Sequence, residues 1–260
     1  MVVEFEKYQG TGNDFVIVDN RQCGYDALTT EAIRFICDRR FGVGADGLML
    51  LQNQPGYAFE MKYYNSDGNE ATMCGNGARC ICAFAGYLGV VESGVYFDFL
   101  AADGPHKALY HAGNTELQMI DVASVDRLGE NFFMNTGVPH FVKPVPDVEA
   151  VDVFEEGRMI RYADQFSPQG TNVNFMTIQQ PGSISVRTYE RGVEGETYSC
   201  GTGVVASCIA AHHMTGSTTF DVTVKGGALK VHFTAGGDGS FSDIWLCGPA
   251  QRVFTGSIEF

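Results

Sequence analysis

The sequence predicts an α+β protein of two pseudo-symmetric domains, each a mainly antiparallel β-sheet or barrel wrapped around a central α-helix. Most of its 260 residues lie in short runs rich in β-branched and aromatic residues, which turn formers separate. Residues 73–80 and 199–206 are nearly alike, since each places a cysteine before a glycine-containing turn and a small apolar segment. Residues 97–110 also align without gaps on residues 220–233. An internal repeat of this extent indicates two halves of common architecture.

The domain boundaries follow from this internal comparison, because no low-complexity or proline-rich linker interrupts the chain. A fainter repeat pairs residues 10–15 with residues 170–175. We expect an N-terminal α+β domain over residues 1–115 and a C-terminal α+β domain over residues 116–248. The sequence leaves open whether residues 249–260 return to the first domain.

The predicted strands alternate with turns along the whole chain. They cover residues 15–19, 47–52, 60–65, 95–100, 115–122, 141–145, 173–179, 184–190, 218–224 and 244–248. A first helix is predicted over residues 32–38, where Thr29 or Thr30 can cap it and Glu31 occupies the first turn.

The other two helices are predicted directly after Cys74 and Cys200. From residue 78 the apolar residues recur with the 3.6-residue helical period, and residues 203–211 are apolar nearly all round. A helix without a polar face is buried, and small side chains let the surrounding strands approach it. Each of these helices is therefore predicted to be the centre of its domain.

The charge distribution argues against nucleic acid and membrane partners. The formal net charge is −14, and the 17 lysine and arginine residues are scattered along the chain. Such a surface repels phosphate backbones and anionic lipid. The N-terminus lacks a signal-peptide pattern, and no apolar run approaches the roughly 18 residues of a membrane-spanning helix. We expect a cytoplasmic protein that acts on a small molecule.

Six of the eight cysteines are predicted to be reduced thiols packed as small hydrophobic groups. They are Cys23, Cys37, Cys80, Cys82, Cys208 and Cys247. Cys80 and Cys82 do not form a metal-binding pair on spacing alone, because a Cys-x-Cys within a helix points its thiols in different directions and no second pair accompanies it. No metal site is expected.

Cys74 and Cys200 are different because they recur at equivalent places. A helix N-terminus presents unpaired amides and the positive end of the helix dipole, which lower the pKa of a thiol and can hold a carboxylate. Either cysteine alone is as easily structural as functional. Two of them suit proton transfer on both faces of one carbon, one as thiolate base and one as thiol acid. No lysine arrangement for pyridoxal phosphate is evident, so no cofactor is expected.

At these residues the sequence resembles diaminopimelate epimerase. The resemblance rests on residues 65–80 and 190–203 and extends to 7–15, 40–48, 170–175 and 245–250, so it covers nearly the whole chain. It implies a cofactor-independent epimerase that interconverts LL- and meso-diaminopimelate for lysine and peptidoglycan precursor synthesis. It also implies a homodimer.

The resemblance assigns roles to individual residues. It makes Cys74 and Cys200 the acid/base pair, with His140 and Glu190 assisting the thiols. The side chains that hold the non-reacting end of the substrate are Asn13, Asn65, Asn172, Glu190 and Arg191. The helix-start residues around the reacting carboxylate are Gly75, Asn76, Gly201 and Thr202. One position departs from the pattern: Val138 stands where the family often has asparagine before Pro-His, which removes one expected contact to the distal end.

Alternatives remain for these residues and for the function. The asparagines lie beside turn formers, where they commonly stabilise the backbone. His140 suits a structural hydrogen bond, and Glu190 with Arg191 suits a surface ion pair. A related two-thiol racemase of proline-like acids is a second hypothesis, and a redox or binding protein with a reversible Cys74–Cys200 disulfide is a third.

Overall fold

Residues 1–259, the part of the chain that the computed structural model describes, divide into two units. The first unit comprises Met1–Leu117 and the described residues from Gly248 onward, and the second comprises Gln118–Cys247. No helix among residues 1–259 is long and apolar enough to cross a membrane.

The first unit is a mostly antiparallel sheet with one buried helix. Its strands are β1 (Val2–Gly10), β2 (Asn13–Asp19), β3 (Gly47–Gln52), β4 (Glu60–Asn65), β5 (Tyr96–Ala101), β6 (Gly104–His111) and β7 (Asn114–Gln118), with β17 (Gln251–Glu259) from the chain end. Strand β1 pairs antiparallel with both β2 and β17, β2 pairs parallel with β3, and β3 pairs antiparallel with β4. Two antiparallel pairings join β5, β6 and β7.

Two helices pack on the sheet of the first unit. The short helix α1 (Thr30–Cys37) is capped by the Thr29 hydroxyl, which accepts a hydrogen bond from the Ala32 amide. Helix α2 (Gly75–Tyr87) is buried from Asn76 to Ala85 and contacts β1, β2, β3, β6 and β17. Burial of an apolar helix among strands supplies the core of the unit, as the pattern after Cys74 predicts.

The second unit repeats this plan. Its strands are β8 (Asp126–Leu128), β9 (Asn131–Asn135), β10 (Pro139–Pro144), β11 (Asn172–Gln180), β12 (Ser183–Glu190), β13 (Gly195–Thr197), β14 (Thr219–Val224), β15 (Gly227–Ala235) and β16 (Phe241–Pro249). Strands β10 and β11 are parallel, β11 and β12 are antiparallel, and β12 pairs parallel with β14. Helix α4 (Gly201–Thr215) is buried over nearly all of Gly201–Ala211 and contacts β9, β10, β11, β12, β14 and β15.

The gap-free sequence repeat corresponds to one hairpin in each unit. Strands β5 and β6 form the first hairpin, in which Asp98 lies opposite Lys107. Strands β14 and β15 form the second, in which Asp221 lies opposite Lys230. The aligned aspartate and lysine are therefore cross-strand neighbours in both copies, where opposite charges favour the pairing.

One helix was not expected from the sequence. Helix α3 (Val153–Arg161) is capped by Asp152, whose carboxylate accepts from the Glu155 amide, and it lies against β11, β12 and β13. Gly157 weakens its helical pattern because glycine costs about 1 kcal/mol relative to alanine in a helix. The glycine is there because a Cβ at this position would lie 2.4 Å from Cβ of Tyr189. Tertiary packing thus overrides the local signal.

Candidate active site

Each of the two recurrent cysteines is the N-cap residue of the buried helix in its unit. Cys74 precedes α2 and is partly exposed, whereas Cys200 precedes α4 and is 8% exposed. Both have extended backbone, and in both the carbonyl accepts the first helical hydrogen bond, from Ala78 and Val204 respectively. The residues that follow, Gly75 with Asn76 and Gly201 with Thr202, form the first turn. Their amides point out of the helix end, where they can hold an anion.

The other cysteines separate into core and surface positions. Burial raises the pKa of the Cys37 and Cys80 thiols to about 12 and holds those of Cys82 and Cys208 well above the ordinary value. These four are core residues, as predicted. The prediction is wrong for Cys23, which is exposed. It lies in a turn with a φ of 56°, and its backbone amide donates a hydrogen bond to the Asn20 carbonyl at 3.0 Å.

In the first unit, hydrogen bonds fix the orientation of Asn13. The Asn76 amide nitrogen donates to Asn13 Oδ1 at 2.6 Å, and Asn13 Nδ2 donates to Asp46 Oδ2 at 2.7 Å. Arg39 binds Asp46 at 2.7 Å and also Asp14 at 2.6 Å. Helix α2 is therefore tied through its second residue to the start of β2.

Asp14 belongs to the same network. Its carboxylate accepts from Lys7 Nζ at 2.6 Å in addition to Arg39. Burial acts to raise the pKa of this carboxyl, but the hydrogen bonds and charges of Arg39 and Lys7 outweigh it and hold the pKa below the usual range. An ionised Asp14 thus balances two cations beside Asn13. Neither Asp14 nor Asp46 was among the residues chosen from the sequence.

Asn65 is the exposed last residue of β4. Its amide donates to the Asn69 carbonyl at 3.0 Å, and its carbonyl accepts from Gly68 at 2.9 Å, so its backbone closes the turn that leads towards Cys74. In the second unit, the exposed Asn135 likewise stabilises a turn, because its Oδ1 accepts from the Gly137 amide before Val138.

In the second unit, His140 lies fully buried on β10 beside the start of α4. Its Nε2 lies 2.9 Å from Thr202 Oγ1, and Thr202 Oγ1 lies 3.5 Å from Cys200 Sγ. Burial first, and then the positive charge of Arg191, lower the pKa of His140 to about 3. His140 is therefore uncharged at neutral pH, where it serves as a hydrogen-bonding group.

The remaining predicted residues cluster where β11 begins and β12 ends. Asn172 is 3% exposed, and its Oδ1 accepts from the Arg191 amide at 2.8 Å. The Arg191 guanidinium donates to the Gln169 carbonyl at 3.1 Å. Glu190, the half-buried last residue of β12, directly precedes Arg191. This end of the sheet thus gathers an amide, a carboxylate and a guanidinium.

One buried residue of this cluster was missed in the sequence. Asn174 has its Nδ2 3.0 Å from His140 Nδ1, and its Oδ1 accepts from the Thr188 hydroxyl at 2.9 Å. A signal was present, because residues two apart on a strand face the same side and Asn172 was already a candidate. The parallel register of β10 on β11, with His140 opposite Asn172, completes the arrangement.

Sequence comparison gives consistent results over the chain. A sequence model of the family described as diaminopimelate epimerase matches residues 5–122 and 132–253. The diaminopimelate epimerase of Flavobacterium psychrophilum is 46% identical over 255 residues, which cover 97% of this chain and 98% of the relative. That of Chlorobaculum tepidum is 40% identical over 258 residues, covering 96% and 98%.

Solved structures share the fold at low sequence identity. A phenazine biosynthesis protein of the PhzF family from Bacillus anthracis has a TM-score of 0.76 at 15% identity, with full coverage of both chains. A hydroxyproline epimerase from Agrobacterium vitis has a TM-score of 0.70 at 14% identity, covering 99% of this chain and 92% of that one. These likenesses confirm the predicted fold class.

Proposed function

As a member of the diaminopimelate epimerase family, this chain is an isomerase that interconverts LL- and meso-diaminopimelate in lysine biosynthesis, and we propose that Cys74 and Cys200 are its two acid/base groups. The observation that carries the proposal is that each cysteine is the N-cap of the buried central helix of its unit. A thiol in this position is stabilised as thiolate by the helix dipole and the free amides.

The chemistry is one proton removed and one returned. A thiolate on one cysteine takes the α-proton and becomes a thiol, and the bonding electrons stay on the α-carbon. The thiol of the other cysteine gives its proton to the opposite face and becomes a thiolate, which inverts the configuration. No electrons leave the system, so the reaction needs no oxidant or reductant. After one turnover the protonation states of the two cysteines are exchanged.

The main energetic difficulty is the weak acidity of the α-carbon, since each unit of pKa mismatch costs about 1.36 kcal/mol. We assign the stabilisation of the carbanion to the helix-start amides of Gly75 and Asn76 and of Gly201 and Thr202, acting on the reacting carboxylate. Fixed amide dipoles in a site that excludes water act strongly on developing charge because they need no reorganisation.

We assign recognition of the distal amino-acid end to Asn13, Asn65, Asn172, Glu190 and Arg191. Support comes from the fixed orientations of Asn13 and Asn172 and from Arg191, whose guanidinium is held by the Gln169 carbonyl and which directly follows Glu190 in the sequence. Glu190 suits a substrate ammonium group, and it also remains the candidate that assists a thiol. A guanidinium can hold a carboxylate with two parallel hydrogen bonds, which an ammonium group on lysine cannot do.

Turnover in deuterated water tests the reaction. Incubation with the LL isomer is expected to give the meso isomer carrying deuterium at the inverted α-carbon, because the returning proton comes from a thiol that has exchanged with solvent. Chiral chromatography with mass spectrometry measures both. Absence of meso product and of α-deuterium would rule out the assigned reaction.

Replacement of Arg191 by alanine is expected to raise KM for diaminopimelate by about 10- to 100-fold, because a charge-assisted hydrogen bond to the distal carboxylate is lost. Arg191→Lys should recover only part of this loss. The exposed Arg158 on α3 provides the control, and Arg158→Ala should leave KM unchanged. Unaltered kinetics in Arg191→Ala would instead favour a smaller substrate without a distal end, such as a proline-like acid.

We also propose that the enzyme acts as a homodimer in the cytoplasm. Two working thiols require reduced cysteines, and the cytosol keeps thiols reduced.

The homodimer is supported by strand β17, on which Gln251 to Thr255 are all exposed and include the apolar Val253 and Phe254. The molar mass in solution tests this assembly.

A further inference from the structure

Cys200 stands at one end of a hydrogen-bond chain that runs into the core of the second unit. Thr202 Oγ1 lies 3.5 Å from Cys200 Sγ and 2.9 Å from His140 Nε2. His140 Nδ1 lies 3.0 Å from Asn174 Nδ2, and Asn174 Oδ1 lies 2.9 Å from the Thr188 hydroxyl. The direction of donation along these groups decides whether the Cys200 sulfur accepts a hydrogen bond from Thr202 or donates one to it.

The buried end of the chain sets this direction. The Thr188 hydroxyl donates to Asn174 Oδ1, and Asn174 Nδ2 donates to the Phe141 carbonyl at 3.1 Å. A flipped amide would place its oxygen against the Phe141 carbonyl oxygen, which repels it. The second hydrogen of Asn174 Nδ2 therefore points at His140 Nδ1, which must accept.

The tautomer of His140 follows from this contact. An imidazole that accepts at Nδ1 and is uncharged carries its hydrogen on Nε2. Nε2 then donates to Thr202 Oγ1, so the hydroxyl oxygen is an acceptor on that side. The one hydroxyl hydrogen of Thr202 is left to point at Cys200 Sγ.

We propose that Thr202 is a positioning residue whose hydroxyl donates to the Cys200 thiolate, and that Asn174 sets this direction through the Nε2–H tautomer of His140. The proposal rests on the proposed function, in which Cys200 must alternate between thiol and thiolate. A donor on sulfur stabilises the thiolate and so makes Cys200 the stronger acid. Burial, and after it the positive charge of Arg191 at this end of the unit, lower the pKa of His140 and keep the imidazole uncharged, which this direction of donation requires.

The first unit has a different arrangement at the equivalent position. Two residues after Cys74 comes Asn76 in place of threonine. Its side chain donates through Nδ2 to Asn13 Oδ1, whereas the Thr202 hydroxyl contacts a histidine and accepts from it. The two units therefore share the cysteine at the helix start but differ in the side-chain hydrogen bonds behind it. We expect the two thiols to differ in acidity for this reason.

The pH dependence of Cys200 alkylation tests the proposal without relying on turnover. Iodoacetamide labelling of the Cys200 peptide, followed by mass spectrometry over a pH series, gives the midpoint at which the thiolate forms. Thr202→Val keeps the shape but removes the hydroxyl, so we expect its midpoint to rise by about one pH unit. Thr202→Ser keeps the hydroxyl and should match the unmodified protein.

A matched control removes a hydroxyl elsewhere on β11. Thr177 Oγ1 donates to the Val145 carbonyl at 3.0 Å, and Thr177→Val should leave the Cys200 midpoint unchanged. An unshifted midpoint in Thr202→Val would overturn the proposal even if the chain is an active epimerase. The converse outcome is a midpoint that shifts as expected in a protein that does not epimerise diaminopimelate. That result would support the proposed hydrogen bond to Cys200 and refute only the proposed function.

The tautomer of His140 gives a second measurement on the unmodified protein, so it does not depend on whether a variant folds. Long-range ¹⁵N–¹H spectra of histidine-labelled protein distinguish hydrogen on Nε2 from hydrogen on Nδ1. We expect the Nε2–H form, uncharged at neutral pH. The Nδ1–H form would overturn the proposal, because Thr202 would then donate to His140 and not to Cys200.

Discussion

Replacement of either Cys74 or Cys200 by serine is expected to lower kcat for epimerisation by about 10²- to 10⁴-fold, the range that one general acid or base contributes. Serine has nearly the same shape as cysteine, but its hydroxyl is a far weaker acid than a thiol. It therefore cannot supply the anion that removes the α-proton. Chiral separation of LL- and meso-diaminopimelate over time measures the loss in both directions.

Two other cysteines provide the controls for this experiment. Cys23→Ser alters an exposed thiol, and Cys208→Ala alters a fully buried thiol on α4 itself. Both should retain turnover in the folded protein, because neither residue lies at a helix start. Full turnover in Cys74→Ser and in Cys200→Ser would refute the two-thiol mechanism and leave the isomerase without its assigned acid and base.

Replacement of Gly203 by alanine is expected to lower the free energy of unfolding by about 1–3 kcal/mol and to reduce turnover. A Cβ at Gly203 would lie 2.2 Å from Asn174 Oδ1 and 3.2 Å from His140 Cε1. Asn174 cannot yield easily because Thr188 and the Phe141 carbonyl hold its amide. The variant must therefore move α4 or break the hydrogen-bond chain behind Cys200. Urea unfolding and steady-state kinetics measure the two effects.

Gly77 is the matched control, since it follows Cys74 at the same distance as Gly203 follows Cys200. Its added Cβ would meet Met49 Sδ at 3.3 Å and Phe15 at 3.5 Å. A flexible thioether can give by a few tenths of an ångström, and alanine favours a helix over glycine by about 0.5–1 kcal/mol. Gly77→Ala should thus be close to neutral. Equal losses in the two variants would contradict the steric argument.

Local patterns predict much of the fold because they depend on neighbouring residues alone. Strands β3 and β4 coincide with the predicted ranges 47–52 and 60–65, and the helices begin after Cys74 and Cys200 as expected. Helix α3 was missed because Gly157 weakens its helical pattern. The reason for this glycine is close packing against Tyr189, which is distant in the sequence. Strand β17 was missed because its strand conformation depends on pairing with β1, which lies at the opposite end of the chain.

The sequence by itself determined the two cysteine-bearing helix starts and the family, and it predicted a set of polar residues for the substrate. These are properties of residue types at fixed short spacings. Only the tertiary structure decided how those residues are oriented. The parallel register of β10 on β11 brings Asn174 to His140 across 34 positions, and the first unit brings Asn13 to Asn76 across 63. A hydrogen bond depends on ångström distances between atoms, which spacing along the chain does not specify, so the direction of donation to Cys200 emerges only when the strands are paired.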